Sequence, residues 1–416
     1  MKEAGARTPE IHWAWVILFI CFLNLFVNYG IRLGYGVVLP EMIRTIHLTR
    51  TQGGDIFNSY LLVYVCLSPF AGHLTDRFGA RRVISLFGIV LGVGTLLLGS
   101  ATGFGQASLF FALVGMGAAA MWTPIMTLVQ RWFAVERRGM ALGILSTGFG
   151  LGFAVMGRLH PFIIAHWSWR HCWYLLGIAA LTMVVVNAIF LRSKPEDKGL
   201  LPWGTRTPDP LEASAPQSAG GCMLPIQSKI TRMPTFWLIG ASYFLVAGAL
   251  YVMTTFMVDY ARYELDFSYS TASFLATVHG SGQIIGVLII GFLSDHIGRR
   301  MTILLSNLFI AASIGGILLA GAEVSWLFAS VAVMGAFYGA TFPMYAAACG
   351  DYFAKERMGK VIGLFTLFYG SGAIAANRVA GHLRDVSGSF STPFFLAMLA
   401  ALAAAFLMYF VRRPER

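Results

Sequence analysis

Charge is scarce in this 416-residue chain. Asp, Glu, Lys and Arg make up 12% of it against 57% hydrophobic residues, and the mean hydropathy is +0.70. Soluble domains carry about 25% charged residues, so the soluble globular class is excluded. Acids are the rarer sign, 19 against 30 basic residues, for a net charge of +11. Cysteine is sparse too: Cys21, Cys66, Cys172, Cys222 and Cys349 are odd in number and have no metal-type spacing. They exclude a disulfide framework and read as buried free thiols. Enzyme signatures are missing as well. The Gly-rich stretches lie within apolar runs and lack the Lys-Ser/Thr that cradles a phosphate. There is no nucleophile–base signature and no His/Cys/acid cluster with metal spacing. No cofactor is implied, and the chain reads as a non-enzyme.

What the chain has is long apolar runs, such as 15–27, 83–98, 109–121 and 173–191. Alone or with their Gly, Ser and Tyr neighbours they meet the ~20-residue length that crosses a bilayer. Twelve helices are predicted near residues 13–39, 54–75, 82–101, 107–131, 140–166, 171–192, 234–260, 269–294, 300–321, 324–350, 359–384 and 389–412. The stretch Glu10-Ile11-His12-Trp13-Ala14-Trp15 has no small-residue cleavage site, so the first run reads as a span.

The few charges are placed on one side. Arg77, Arg81, Arg82, Arg131, Arg137, Arg138, Arg299, Arg300, Lys355, Arg357 and Lys360 share the loops of one face with Lys2, Arg7, Arg412, Arg413 and Arg416. The other face has only scattered arginines. By the positive-inside rule both termini are expected in the cytoplasm, in a multi-pass protein of the inner membrane. The basic balance then reflects topology and lipid headgroups. Nucleic acid is not expected as a partner, because the bases are spread over loops rather than gathered in one patch.

The chain also repeats itself. Trp132-Phe133-Ala134-Val135-Glu136-Arg137-Arg138-Gly139 returns 220 residues on as Tyr352-Phe353-Ala354-Lys355-Glu356-Arg357-Met358-Gly359. Gly72-His73-Leu74-Thr75-Asp76-Arg77-Phe78-Gly79-Ala80-Arg81 returns 219 on as Gly291-Phe292-Leu293-Ser294-Asp295-His296-Ile297-Gly298-Arg299-Arg300. A period near half the chain means duplication. The expected fold is an all-α membrane protein of two pseudo-symmetric six-helix bundles, 1–192 and 233–416. A Pro- and Gly-rich linker at 193–232 joins them, with 205–221 expected to be mobile. Alternating-access carriers are built this way, with the solute between the halves. The pairs Gly30/Gly34 and Gly148/Gly152 have the i, i+4 spacing that lets helices approach closely.

Three arginines interrupt apolar helices: Arg32, Arg158 and Arg378. A buried arginine costs at least about 2.5–3.5 kcal/mol on insertion scales, so it needs a partner or a wet cavity. Arg158 and Arg378 are equivalent in the repeat, with His160 and His382 beside them. Counted along the predicted helices, all three lie beyond the middle, towards the outer side. Arg32 and Arg378 are candidates for a substrate carboxylate. The alternative is that these side chains snorkel to headgroups or close an outer gate. Arg158, His160, Asp259 and His382 are candidates for coupling or that gate, Asp259 by pairing with an arginine when the outer side closes. An unpaired cation in a cavity favours a small organic anion. Tyr29, Tyr35, Asn58, Tyr60, Trp122, Phe149, Tyr251, Tyr338, Tyr345, Tyr369 and Asn377 are candidate lining residues.

The two glycine-flanked Asp loops, 72–82 and 291–300, resemble the cytoplasmic signature of the major facilitator superfamily and its echo. The resemblance implies gating roles for Asp76, Arg77, Arg81, Glu136, Arg137, Asp295, Arg299, Glu356 and Arg357, in which arginines pair with carboxylates to hold the cytoplasmic gate shut. Three stretches resemble the monocarboxylate transporters and the oxalate/formate porters more narrowly. They are Glu10 to Trp15, Arg137-Arg138-Gly139-Met140-Ala141-Leu142-Gly143, and Pro195-Glu196-Asp197-Lys198-Gly199-Leu200-Leu201-Pro202. That likeness implies a monomeric carrier of a monocarboxylate such as lactate or pyruvate, coupled to protons. Anion exchange and export of drugs or neutral solutes are the alternatives. The sequence departs from the family pattern in the eighth helix, where Gln283 and Val287 replace an expected Asp and Arg. His279 and Gln283, four apart on one helical face, stand as candidate carboxylate or proton ligands there.

Overall fold

The computed structural model describes residues 12–205, 232–321, 323–353 and 358–411. Twelve helical spans account for nearly all of them: α1 Trp13–Thr45, α2 Arg50–Phe78, α3 Ala80–Gly99, α4 Phe104–Trp132, α5 Arg138–His166 and α6 Trp169–Phe190. The second half has α7 Pro234–Tyr263, α8 Tyr269–Ile297, α9 Arg299–Ala320, α10 Val324–Tyr352, α11 Met358–Ser387 and α12 Ser391–Tyr409. Ten are long and apolar enough to cross a membrane by length and composition; α2 and α11 fall outside that set and pack on each other across the midline.

The duplication is visible in the packing. In the first half α1 lies on α5, α2 on α4 and α3 on α6; in the second α7 lies on α11, α8 on α10 and α9 on α12. The halves meet through α1 with α7, α2 with α11 and α5 with α8, which is the pairing a twofold axis requires. Backbone angles repeat as well. Gly79 and Gly298, which end α2 and α8, have φ of 84° and 85°. His47 and Asp266, in the loops after α1 and α7, have φ of 53° and 54°. Both pairs are 219 residues apart. His and Asp tolerate this left-handed region better than most side chains.

Three elements depart from the expected boundaries. α1 runs through Pro40 to Thr45 rather than stopping at 39, so a single lost N–H does not end it. α2 starts at Arg50, where Thr49 and Gln52 form a capping box. α4 is not continuous. It breaks into Phe104–Ala118 and Thr123–Trp132, with Pro124 in the first turn of the second piece, where a missing N–H costs no helical hydrogen bond. Among the described cysteines Cys21, Cys172 and Cys349 are buried free thiols, whereas Cys66 is exposed on α2; Cys222 lies outside the described residues.

The first part of the connecting segment is bound to the first half. Trp203 donates its N–H to the Trp132 carbonyl at 2.9 Å, and its ring meets Trp15 edge-on at 5.0 Å. Most of the stretch expected to be mobile lies outside the described residues. Close packing of α1 on α5 uses the glycine pairs: a Cβ on Gly152 would stand 2.6 Å from the Phe26 carbonyl oxygen and 2.9 Å from the Gly30 nitrogen.

Candidate functional site

Arg32 lies three residues past the midpoint of α1, roughly 5 Å of rise, because α1 is longer than its apolar run. It is the most central of the three intramembrane arginines and is 3% exposed. Four tyrosines cage it, with the guanidinium carbon 4.9 Å from the Tyr64 ring centre, 5.6 Å from Tyr29 and Tyr251, and 5.7 Å from Tyr60. The guanidinium donates to the Tyr251 hydroxyl, and the Tyr369 hydroxyl donates to the same oxygen at 3.1 Å. Its Nε is buried without a hydrogen-bond partner. None of the ion pairs formed among the described residues involves Arg32. Cation–π contacts stabilise such a charge by up to about 2 kcal/mol each when desolvated, but they do not neutralise it.

A cavity opens beside this cation. It is lined by Tyr29, Arg32, Tyr64, Trp122, Phe149, Leu250, Tyr251, Tyr338, Gly339, Thr341, Phe342, Thr366 and Tyr369, drawn from both halves. The break in α4 sets Trp122 at its wall, where the indole meets Phe342 of α10 edge-on at 5.2 Å. Of the sequence-derived candidates, Tyr29, Arg32, Trp122, Tyr338 and Tyr369 therefore line one space, as do Phe149 and Tyr251. Tyr64, Thr341, Phe342 and Thr366 were not singled out from the sequence, although Tyr64 lies one turn from Tyr60 and the next two follow Tyr338 closely.

Other candidates lie elsewhere. Tyr35 is buried in the first half and donates to the Gly53 carbonyl at 2.7 Å. Tyr345 bonds Ser242 and Asn307 within the second half. His279 and Gln283 are buried and bonded to each other at 3.0 Å, behind Tyr338, whose ring is 5.1 Å from the imidazole. Asn58 donates to the Ile374 carbonyl at 3.0 Å, across the α2–α11 seam. Asn377 is buried in the same seam, its carbonyl oxygen 2.8 Å from where a Cβ on Gly54 would be. His160 is enclosed beside Gly34 and Trp173. Arg158 and His382 are exposed, Arg158 lying over the Phe274 ring at 3.8 Å.

Arg378 does not line the cavity. It lies roughly 8 Å past the midpoint of α11, is 67% exposed, and pairs with Asp55 of α2 at 2.6 Å. It belongs to a set of contacts that join the halves at the end opposite the described chain termini. Arg50 donates to the wholly buried Asp259 at 3.1 Å. Asp385 of α11 accepts from the N–H groups of Arg50 and Thr51 at 2.9 and 2.8 Å, capping α2 from the other half. Tyr269 donates to the Val37 carbonyl at 2.8 Å.

At the end that carries Trp13 and Tyr409 the charged residues bond within their own half. Asp76 faces Arg131 at 4.0 Å; Arg299 pairs with Asp295 at 2.5 Å and Asp351 at 3.8 Å. Arg81 donates to the Ala188 carbonyl, Arg137 lies over Trp203 and Arg77 over Phe78. Glu136 is exposed. Glu356 and Arg357 lie outside the described residues. Among the described residues, every hydrogen bond or ion pair named here between the halves lies at the cavity or beyond it, towards the far end. The two halves are latched at one end; among the described residues, none of the bonds named at the other end crosses the midline.

Comparison with known proteins gives one family. The model described as Major Facilitator Superfamily matches residues 17–269 and 239–416. The chain is 22% identical to monocarboxylate transporter 12-B of Danio rerio, over 99% of this chain and 89% of that one. It is 25% identical to a hexuronate transporter of Bacillus subtilis (strain 168), over 95% and 94%. Among solved structures, a bacterial homolog of the human lysosomal transporter Spinster superposes with a TM-score of 0.68 at 17% identity, covering 96% of this chain and 95% of that one.

Proposed function

The chain belongs to the Major Facilitator Superfamily, and from that premise we propose that it carries a small organic anion, a monocarboxylate, by alternating access. The observation that carries this reading is Arg32: a buried guanidinium near the middle of α1, caged by tyrosines, without a carboxylate partner among the described residues. A bound carboxylate would supply the missing charge through charge-assisted hydrogen bonds to the guanidinium. The relatives support the class, since monocarboxylates and hexuronates share the carboxylate. In this reading the structure is the inward-facing state of a monomer in the inner membrane. The basic end lies in the cytoplasm, and the latch of Arg50–Asp259, Arg378–Asp55 and Asp385 forms the outer gate. Accumulating an anion against a negative-inside potential costs about 2.3 kcal/mol per 100 mV for each charge moved, so uptake is coupled to protons.

The test is uptake of labelled lactate, pyruvate and benzoate into proteoliposomes, with and without an inward proton gradient and with protein-free vesicles subtracted. Uptake of at least one, raised by the gradient and reduced about 100-fold or more in Arg32→Gln, is the expected result. Uptake that Arg32→Gln leaves unchanged would remove Arg32 from the site. Uptake driven by internal anion and indifferent to the gradient would make the protein an exchanger.

A further inference from the structure

The wall of the Arg32 cavity has an unusual composition. Eight of its thirteen lining residues are aromatic: Tyr29, Tyr64, Trp122, Phe149, Tyr251, Tyr338, Phe342 and Tyr369. It has no Asp, Glu, Asn, Gln, His or Lys. Its polar atoms are phenol and threonine hydroxyls, one indole N–H and the guanidinium. The two threonines already donate along their own helices, Thr341 to Phe337 at 2.8 Å and Thr366 to Ile362 at 2.9 Å. The wall therefore offers one strong anion site and aromatic faces, but no carboxylate or amide oxygen to accept a hydrogen bond from a solute.

This composition selects among carboxylates. A sugar acid brings several hydroxyls, each a donor, and the wall offers them only the neutral oxygens of its phenols and threonines, with no side-chain carboxylate or amide oxygen to accept from them. A two- or three-carbon acid satisfies the cation but leaves the aromatic faces without a partner.

We propose that the solute is a single-ring aromatic monocarboxylate, its carboxylate on Arg32 and its ring against Trp122 and the facing tyrosines. The assignment rests on Arg32 being the anion site. It separates this chain from the hexuronate carrier it resembles.

The experiment is titration calorimetry of the purified full-length protein with benzoate, cyclohexanecarboxylate, lactate and galacturonate, in the wild type, Arg32→Lys, Arg32→Gln and Trp122→Leu. Benzoate should bind about 100-fold more tightly than galacturonate and about tenfold more tightly than lactate and cyclohexanecarboxylate. Trp122→Leu should weaken benzoate about 2- to 10-fold and leave lactate unchanged. Arg32→Gln should lose every ligand, and Arg32→Lys, which keeps the charge but not the planar fork, should weaken them all. Binding of galacturonate, lactate or cyclohexanecarboxylate as tight as benzoate, still lost in Arg32→Gln, would overturn the aromatic assignment and leave the anion site standing. Binding that survives Arg32→Gln, or no binding of any ligand to folded wild type, would overturn both.

Discussion

Replacing Arg50 by Gln tests whether the far-end contacts act as a latch. Arg50 of α2 donates to Asp259 of α7 at 3.1 Å; the aspartate side chain is wholly buried and the arginine is 23% exposed. An exposed pair contributes about 0–1 kcal/mol, whereas removing one partner of a fully buried pair costs about 3–5 kcal/mol. This pair has one end in each regime, so the loss of Arg50 is set at about 2 kcal/mol in the closed form. In the open form Asp259 reaches water and loses nothing. The closed-to-open ratio should therefore fall about 30-fold, since each 1.4 kcal/mol is a factor of ten. The reverse substitution is gentler. Asp259→Asn leaves behind a cation that already touches solvent, and the shift should be under about 1 kcal/mol. The assay is the distance between spin labels at Thr45 and Asp266, on the far-end rims of the two halves, in a cysteine-free background. Arg50→Gln should populate a longer distance, and Asp259→Asn should do so much less. Superimposable distributions for Arg50→Gln and wild type would refute the latch, and a larger effect from Asp259→Asn would refute the burial argument.

Two further outcomes follow from the packing. Gly36 faces the Thr254 carbonyl so closely that a Cβ would overlap it. Gly36→Ala should therefore bar far-end closure and give the long spin-label distance at least as strongly as Arg50→Gln; an unchanged distance would show that the α1–α7 seam has slack. Asn24 of α1 and Asn187 of α6 exchange amide hydrogen bonds at 2.8 and 2.9 Å in a buried site. Asn24→Leu strands the partner amide and should cost about 1 kcal/mol, while Asn24→Leu with Asn187→Leu should unfold nearer the wild-type temperature in detergent; a double variant less stable than the single would sink that reading.

Helix count, duplication and the side that bears the bases were legible in the sequence because each is a local property of composition and spacing. A span is a run of apolar residues, and the repeat is a string that recurs 219–220 residues on. Boundaries were less legible where one residue works against its neighbours. Pro40 sits inside α1 without ending it, while Pro124 opens the second piece of a broken α4. The lost N–H is the same in both, so a proline in the sequence does not by itself mark where a helix breaks.

The candidate site shows the same division. That three arginines interrupt apolar helices is written in the sequence, and so is the equivalence of Arg158 and Arg378. Their fates are not equivalent. Arg158 lies exposed over Phe274, Arg378 pairs with Asp55, and Arg32 alone of the three borders the central cavity. Helix rotation and partner choice decide this. The groups that surround Arg32 come from α1, α2 and α7, with Tyr251 lying 219 residues away in the chain. The sequence by itself determined the class of molecule, its twofold plan and the presence of cations within apolar helices, because hydrophobicity and repetition are carried residue by residue. Only the tertiary structure decided which of them is buried beside the central cavity without a counter-charge, because that depends on helix rotation and on whether an acid from another helix reaches it.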